Sequence, residues 1–144
     1  MNAAQAVVRD FFENVQAGDV EAALALTAPG GTFQAVPLGV KGTIGGEGRE
    51  FLGELRRALP DLTLRVTRLF VGGDGTAVAE VFVDGTQAGD LFGVVNQEKH
   101  FDLKTVWLLP VAGGQIEGIR AYWCQNQLYR RLGVKRLDRV TITA

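Results

Sequence analysis

Apolar positions in the first sixty residues recur at the spacing of amphipathic helices. In residues 3–17 they fall three, four or seven positions apart, which places them on one helical face. Asn2 and Gln5 have the spacing of a capping box, so we expect the first helix to begin there. Shorter segments at 19–26 and 49–59 predict two further helices. The apolar positions of the first helix are Ala4, Val7, Val8, Phe11, Phe12 and Val15.

After Pro60 the pattern changes from helical to alternating. The segments "LTLRVTRLFV", "TAVAEVFVDG", "HFDLKTVWLLP" and "QIEGIRAYWC" have period two, and glycine-rich turns separate them. Another short strand, "TFQAVP", comes before the third helix. Helices followed by hairpin-connected strands predict an α+β fold, with the helices on one face of an antiparallel sheet. A curved sheet wrapped round three N-terminal helices forms a cone, and an apolar cavity between helices and sheet is the expected site.

Residues 38–48, "LGVKGTIGGEG", contain five glycines. The segment lacks the Gly-Lys-Ser/Thr ending of a phosphate-binding loop, so a nucleotide site is disfavoured. We expect this loop to be a mobile flap near the mouth of the pocket.

Composition narrows the choice of partners. The 144 residues, 47% of them hydrophobic, favour one globular domain over 1–144, and a net charge of -1 gives no reason to expect nucleic acid or an anionic membrane. One histidine and one cysteine disfavour a metal site and a Cys–His nucleophile. The N-terminus lacks the apolar core of a signal peptide, and no run approaches the ~18 apolar residues of a membrane span. We therefore expect a cytoplasmic protein.

Two charged residues in the strands are candidates for chemistry. Glu80 lies mid-strand, where it is either on a solvated face or buried and paired. Arg120 is the candidate partner, and a buried Glu80–Arg120 pair would orient a substrate carbonyl. An unpaired, buried Glu80 would instead have a raised pKa and serve as an acid or base. We expect His100 to lie outside, near the start of a strand.

Four segments in order resemble the SnoaL-like polyketide cyclases of the nuclear-transport-factor-2-like superfamily. They are "NVQAGDVEAALALTAPG", "GREFLGELRRALPDLTLRV", "DGTQAGDLFGV" and "GGQIEGIRAYWCQNQLYRRLG". The resemblance implies a cystatin-like cone, a small polyketide-like substrate, ring closure without a cofactor, and a homodimer formed through the outer sheet face. Trp123 and Ile119 are the apolar residues expected on that outer face, and the tail "RLDRVTITA" is a candidate edge strand or dimer contact.

The catalytic positions of that family are replaced in this chain. Its acid/base Asp falls at Cys124, its strand His near Trp107, and the His of its Gly-Thr-His motif at Gln87. The match places Gly118, Arg120 and Cys124 on the cavity face. A thiol in an apolar cavity keeps its proton, so the Asp-based aldol mechanism is not expected here.

Three functions remain open. The first is a natural-product cyclase that closes a ring mainly by shape, for which a cycloaddition suits the missing Asp. The second is an acid/base epoxide hydrolase, dehydratase or isomerase that uses Glu80, and the third is a non-catalytic small-molecule-binding module. We predict Glu80, Arg120 and Tyr122 as catalytic residues. The predicted substrate-binding residues are Phe33, Gln34, Phe82, Gln87, Thr105, Trp107 and Cys124.

Overall fold

Four helices and six strands follow one another within residues 2–133, the part of the chain that the computed structural model describes. The helices are α1 (Ala3–Gln16), α2 (Val20–Leu24), α3 (Arg49–Ala58) and α4 (Gln125–Arg131). The strands are β1 (Thr27–Ala35), β2 (Val40–Thr43), β3 (Thr63–Val71), β4 (Thr76–Thr86), β5 (His100–Ala112) and β6 (Gln115–Tyr122). Helices α1 to α3 lie in the first sixty residues and the consecutive strands β3 to β6 follow them, so the predicted α+β class is confirmed. The expected strand in the tail "RLDRVTITA" lies outside the described residues.

Helix α1 begins at the predicted capping box. The side chain of Asn2 accepts from the backbone N–H of Gln5 at 2.8 Å, and the side chain of Gln5 accepts from the backbone N–H of Asn2 at 3.0 Å. The predicted apolar face of the helix is buried, and Phe12 meets Trp107 edge to face with ring centres 5.2 Å apart. Burial of each such side chain contributes about 1.5–3 kcal/mol, which fixes α1 against the sheet.

The six strands form one sheet in the order β2-β1-β6-β5-β4-β3. Neighbouring strands are antiparallel except β1 and β6, which run parallel. We call the side of the sheet that faces the helices the inner face and the opposite side the outer face. In β4 the buried inner residues Ala77, Ala79, Val81 and Val83 alternate with the outer residues Val78, Glu80, Phe82 and Asp84.

A change of register decides which way β6 faces. Its pairing with β5 shifts by one residue between Leu108 and Val111. Ile116 and Ile119 are therefore both buried although they lie an odd number of positions apart. The resemblance to the family placed Arg120 on the cavity face together with Gly118, and this prediction is wrong for Arg120 because the shift reverses the alternation after Gly118. Three residues expected to face the cavity instead lie exposed, namely Arg120, Tyr122 and Cys124.

The glycine-rich segment at 38–48 is folded into short elements. A 3-10 turn at Val36–Leu38 leads into β2, which pairs with β1, and a π-helical turn at Ile44–Gly48 leads into α3. Ile44 anchors the turn because its side chain is buried in the core. Among residues 2–133 no helix is both long and apolar enough to cross a lipid bilayer.

Candidate functional site

The space between the helices and the inner face is almost filled. A cavity of about 20 Å³ remains there, which we call the inner chamber. Thr105 contributes a hydroxyl to its lining, donates from Oγ1 to the carbonyl of Val81 at 2.8 Å and accepts from Trp107 Nε1 at 2.8 Å. Among residues 2–133 no ionisable side chain belongs to this lining, so the described part of the inner chamber offers no acid or base. The lining residues are Phe51, Leu55, Val83, Leu91, Phe92, Phe101, Leu103, Thr105, Trp107, Trp123 and Leu128.

A much larger pocket of about 700 Å³ opens at the end of the cone, and we call it the mouth pocket. It lies between the 36–40 turn, the π-helical turn, α3, the segment between β4 and β5, and α4. Aromatic rings of Phe51, Phe92 and Tyr129 line it. No lysine or arginine from the described part of the chain belongs to its lining. Its carboxylates come from Glu47, Glu50, Glu54 and Asp90.

Helix α3 presents both an apolar face and an acidic face to this site. Phe51 and Leu55 are buried one turn apart, and Glu50 and Glu54 are also one turn apart on the neighbouring side of the helix. Glu54 is partly buried, and its Oε2 accepts a hydrogen bond from the backbone N–H of Phe92 at 2.5 Å. The helix thereby places a carboxylate beside the boundary between the two cavities.

Two other carboxylates of the mouth pocket accept hydrogen bonds from the backbone at its rim. Glu47 Oε1 accepts from the backbone N–H of Thr43 at 3.0 Å, and this hydrogen bond lowers the pKa of the Glu47 carboxyl below its usual range. Asp90 Oδ1 accepts from the backbone N–H of Asn96 at 2.9 Å. Carboxylates thus lie along the rim of the mouth pocket, and at Glu47 the backbone hydrogen bond favours the charged form.

Phe51 and Phe92 separate the two cavities, and each lines both of them. Their rings are stacked, with centres 4.6 Å apart and planes inclined by 6°. Trp123 completes the cluster at 5.8 Å from Phe51 and 5.7 Å from Phe92. The two cavities thus adjoin at a cluster of three aromatic rings, two of which line both cavities.

The segment that carries Phe92 is fixed at its base by Gln87. This side chain is 2% exposed, donates from Nε2 to the carbonyl of Val94 at 3.1 Å, and accepts at Oε1 from the backbone N–H of Gln97 at 2.9 Å. Gln87 was predicted to bind substrate. Its amide instead binds both sides of the loop, so a structural role accounts for its burial.

The structure divides the predicted site residues between the two faces of the sheet. Phe33, Thr105 and Trp107 lie inside, as Gln87 does, and their part in binding stays a prediction. Gln34 and Arg120 lie on the outer face, where they line a groove of about 570 Å³. The other predicted residues away from the inner face are Glu80, Phe82, Tyr122 and Cys124.

The expected Glu80–Arg120 pair does not form. Glu80 Oε1 instead accepts from Thr67 Oγ1 at 3.0 Å and lies 3.7 Å from Lys104 Nζ. Arg65 and Lys104 also lie over the ring of Phe82, at 5.2 and 5.4 Å from its centre. These contacts stabilise a polar outer face and leave neither Glu80 nor Phe82 within the cone.

His100 lies at the start of β5 and is exposed, which confirms its expected position. Its Nδ1 is 2.8 Å from Thr86 Oγ1 and its Nε2 is 3.1 Å from Asp84 Oδ1. Within residues 2–133 no group of three or more His, Cys, Asp or Glu side chains is arranged to hold a metal ion.

Several site residues were not found from the sequence. Phe51 falls within the helix predicted at 49–59 but was not among the predicted site residues, although Glu50 and Glu54 beside it form a visible acidic pair. Phe92 lies in "DLFGVV", where a Phe-Gly pair between apolar residues was a weak sign of a tight turn. Trp123 was assigned to the outer face. The alternate residues of β6 that share a face with Trp123 are more apolar than those on the other face, and this difference was a sign that Trp123 faces inward.

With this geometry in view, the class of protein follows from comparison. The chain belongs to the SnoaL-like polyketide cyclase family, whose model matches residues 6–132. A search of curated proteins found none that matches this sequence.

Solved structures share the fold at low sequence identity. A proposed polyketide cyclase from Xanthomonas campestris pv. campestris is 20% identical with a TM-score of 0.80, over 91% of this chain and 97% of that one. AclR, a proposed hydroxylase from Streptomyces galilaeus, is 17% identical with a TM-score of 0.77, over 90% and 95%. A Catenulispora acidiphila protein with a ketosteroid isomerase-like fold, solved in complex with trimethylamine, is 16% identical with a TM-score of 0.75, over 89% and 92%. The expected nuclear-transport-factor-2-like cone is thereby confirmed.

Proposed function

We propose that this protein is a cofactor-independent cyclase of polyketide-like natural-product biosynthesis that closes a ring in the mouth pocket. The observation that carries the proposal is the pocket of about 700 Å³, which combines aromatic walls with carboxylates at the open end of the cone. Its size falls within the ~300–1,000 Å³ range of small-molecule sites. Family membership supports the reaction class, and the pocket supports a substrate of this size.

Ring closure would draw mainly on the shape of the pocket. The rings of Phe51, Phe92 and Tyr129 would fold a flexible chain so that its two reacting ends meet. Holding two ends in a near-attack pose can supply about 7–11 kcal/mol in the best cases. A pericyclic closure such as a cycloaddition needs no base, which suits a chain with Cys124 at the position of the family Asp.

Glu54 is the group best placed for acid/base chemistry if the reaction requires it. It is partly buried, lies in the mouth pocket and is fixed against the backbone of Phe92. Its carboxylate would take a proton from the acidic carbon between two carbonyl groups and return one to the product. In the alternative function of an acid/base isomerase or dehydratase, the acting carboxylate would therefore be Glu54, because Glu80 lies on the outer face.

The charge of the mouth pocket favours certain substrates over others. Four carboxylates and no basic residue among the described lining disfavour a substrate with an anionic end. We therefore infer a substrate whose polar end is uncharged or cationic.

The experiment compares Glu54→Gln with Glu80→Gln, a matched loss of one carboxylate on the outer face. Each purified protein is incubated with neutral poly-β-ketone ester analogues, and loss of the linear form is followed by liquid chromatography and mass spectrometry. Catalysis by Glu54 predicts a drop of about 10²–10⁴-fold in kcat for Glu54→Gln and wild-type turnover for Glu80→Gln. A drop of only a few-fold would favour closure by shape. Binding of the analogues without turnover by the wild-type protein would leave the non-catalytic binding module.

We also propose a homodimer formed through the outer face of the sheet. Trp123 and Ile119 no longer support it, because both turn inward. The support comes from Phe70 and Tyr122, large side chains that are 50% and 36% exposed on that face. Sedimentation velocity should show a dimer that Tyr122→Glu weakens, whereas a monomer at all concentrations would exclude it.

A further inference from the structure

The segment between β4 and β5 contains an unusual turn. Leu91 and Val94 exchange two backbone hydrogen bonds, of 3.0 and 2.8 Å, so Phe92 and Gly93 form a two-residue hairpin turn. Both central residues have positive φ, 48° at Phe92 and 81° at Gly93, as in a type I′ turn. Asn-Gly, Asp-Gly and Gly-Gly are the usual pairs there, because a bulky side chain is strained at positive φ. Phe92 therefore occupies the first central position of the turn although the positive φ there disfavours an aromatic residue.

Two contacts hold Phe92 in this conformation. The Glu54 carboxylate accepts from its backbone N–H at 2.5 Å, and its ring stacks on Phe51 with centres 4.6 Å apart. The ring also lies 5.7 Å from Trp123 with planes inclined by 28°. Backbone strain that surrounding contacts maintain is a feature of functional sites.

The ring closes the passage between the mouth pocket and the inner chamber, since it lines both. Removing it would join the small apolar space against Trp107 and Trp123 to the large pocket outside. Aromatic rings of Phe51 and Trp123 lie beside it, and no ionisable side chain from the described residues lines the inner chamber. The position suits a flat, uncharged ring that stacks on Phe51 as Phe92 does now.

We infer that Phe92 occupies a binding subsite for a planar, uncharged ring of the substrate, and that this ring enters as Phe92 swings into the mouth pocket. The inference rests on the proposed function, because it names the part of the substrate that the same site would recognise. The incoming ring replaces the stacking that Phe92 loses, and Phe92 leaves its strained conformation. The exchange still costs Phe92 its own contacts with Phe51 and Trp123, and Phe92 sets the size and shape of ring that is admitted.

The substitution Phe92→Asn tests the role of the ring apart from that of the turn, because it removes the ring and keeps a residue that suits the turn. Asn-Gly is a favoured pair for this turn, so the backbone is expected to remain while the subsite becomes empty. The probe is 2-naphthol, a flat and neutral aromatic compound at pH 7, and its binding is measured by calorimetry and by quenching of tryptophan fluorescence. The wild-type protein must first displace Phe92, so Phe92→Asn should bind the probe at least about 10-fold more tightly. Phe70→Asn, which removes an exposed ring on the outer face, should bind it as the wild type does.

A second change tests where the probe binds. Phe51→Leu in the Phe92→Asn background removes the stacking partner and should abolish the gain in affinity. Equal affinity of Phe92→Asn and wild type, or a gain that survives Phe51→Leu, would overturn the subsite. Phe92→Gly provides the same opening with a Gly-Gly turn, and failure of both Phe92 variants to fold would show that the ring is only a core residue.

The outcome is independent of turnover. Tighter binding of 2-naphthol with no consumption of any poly-β-ketone analogue would support the subsite while the cyclase proposal fails. Turnover of an analogue with unchanged binding of 2-naphthol in Phe92→Asn would overturn the subsite alone.

Discussion

A buried hydroxyl in β5 connects two strands with the largest side chain of the core. Thr105 is 3% exposed, donates to the carbonyl of Val81 and accepts from the indole N–H of Trp107, both at 2.8 Å. Thr105→Val keeps the shape of the side chain and removes both hydrogen bonds. We therefore predict a loss of stability that reflects the hydroxyl rather than a cavity.

The size of the effect follows from what is left unpaired. Trp107 is 2% exposed, so its Nε1–H would remain in an apolar environment without a partner. A buried donor left unsatisfied costs about 1–3 kcal/mol, which we take as ~2 kcal/mol here. For a chain of this length each kcal/mol lowers Tm by about 2–4 °C, so Thr105→Val should lower Tm by roughly 4–8 °C. Thr105→Ser retains the hydroxyl and loses one methyl group, which costs about 1 kcal/mol.

The assay is urea unfolding of a double-mutant cycle with Trp107→Phe. Phenylalanine has no N–H, so Thr105→Val should cost less in that background than in the wild type. A coupling free energy above about 0.5 kcal/mol is expected for two residues in contact. Additive losses in the cycle would show that the Thr105–Trp107 hydrogen bond does not stabilise the protein.

Three further predictions concern the N-terminal cap of α1, the hydrophobic core and the loss of stability at low pH. Asn2→Ala removes half of the capping box and should lower the free energy of unfolding by about 1 kcal/mol in urea titrations. Phe11→Ala empties a fully buried position and should cost about 3–5 kcal/mol, whereas Asp10→Ala at the neighbouring exposed position of α1 should change stability by less than ~0.5 kcal/mol in the same titration. The backbone N–H of Thr86 lowers the pKa of the Asp61 carboxyl, so its stabilisation is present above the unfolded pKa and is lost as the pH falls through the folded pKa. Tm recorded from pH 6 to pH 2 should therefore fall less steeply in Asp61→Asn, and parallel curves would contradict this origin of the acid response.

The elements of the fold were predictable because each depends on local pattern. The period of the apolar residues gave α1 and α3, and the Asn2–Gln5 capping box gave the first residue of α1. Alternation after Pro60 gave β3 to β6 within a few residues of their bounds. β2 was missed because it is four residues long within a glycine-rich segment, and only its pairing with β1 makes it a strand.

The site was predicted less well because side-chain direction in a sheet depends on register. Glu80 has alternating neighbours, and the pattern alone left its face open until the pairing of β4 fixed it outside. Arg120 was assigned inward from the match to the family, on the assumption that β6 alternates without interruption, and the register shift between Leu108 and Val111 places it outside. A one-residue shift changes the face of every later side chain, and no single strand records where its partner shifts.

By itself the sequence determined the order and type of the elements, the apolar faces of the helices and the resemblance to a family of cyclases. These properties depend on spacing along one segment, or on matches to segments of other chains. Only the tertiary structure decided that the interior is almost filled, that the carboxylates of α3 border the mouth pocket, and that Phe92 separates two cavities. These features require residues far apart in sequence, such as Glu54, Phe92 and Trp123, to meet. Contacts of that kind are set by how strands pair and helices pack, and the local pattern of apolar and polar residues does not specify them.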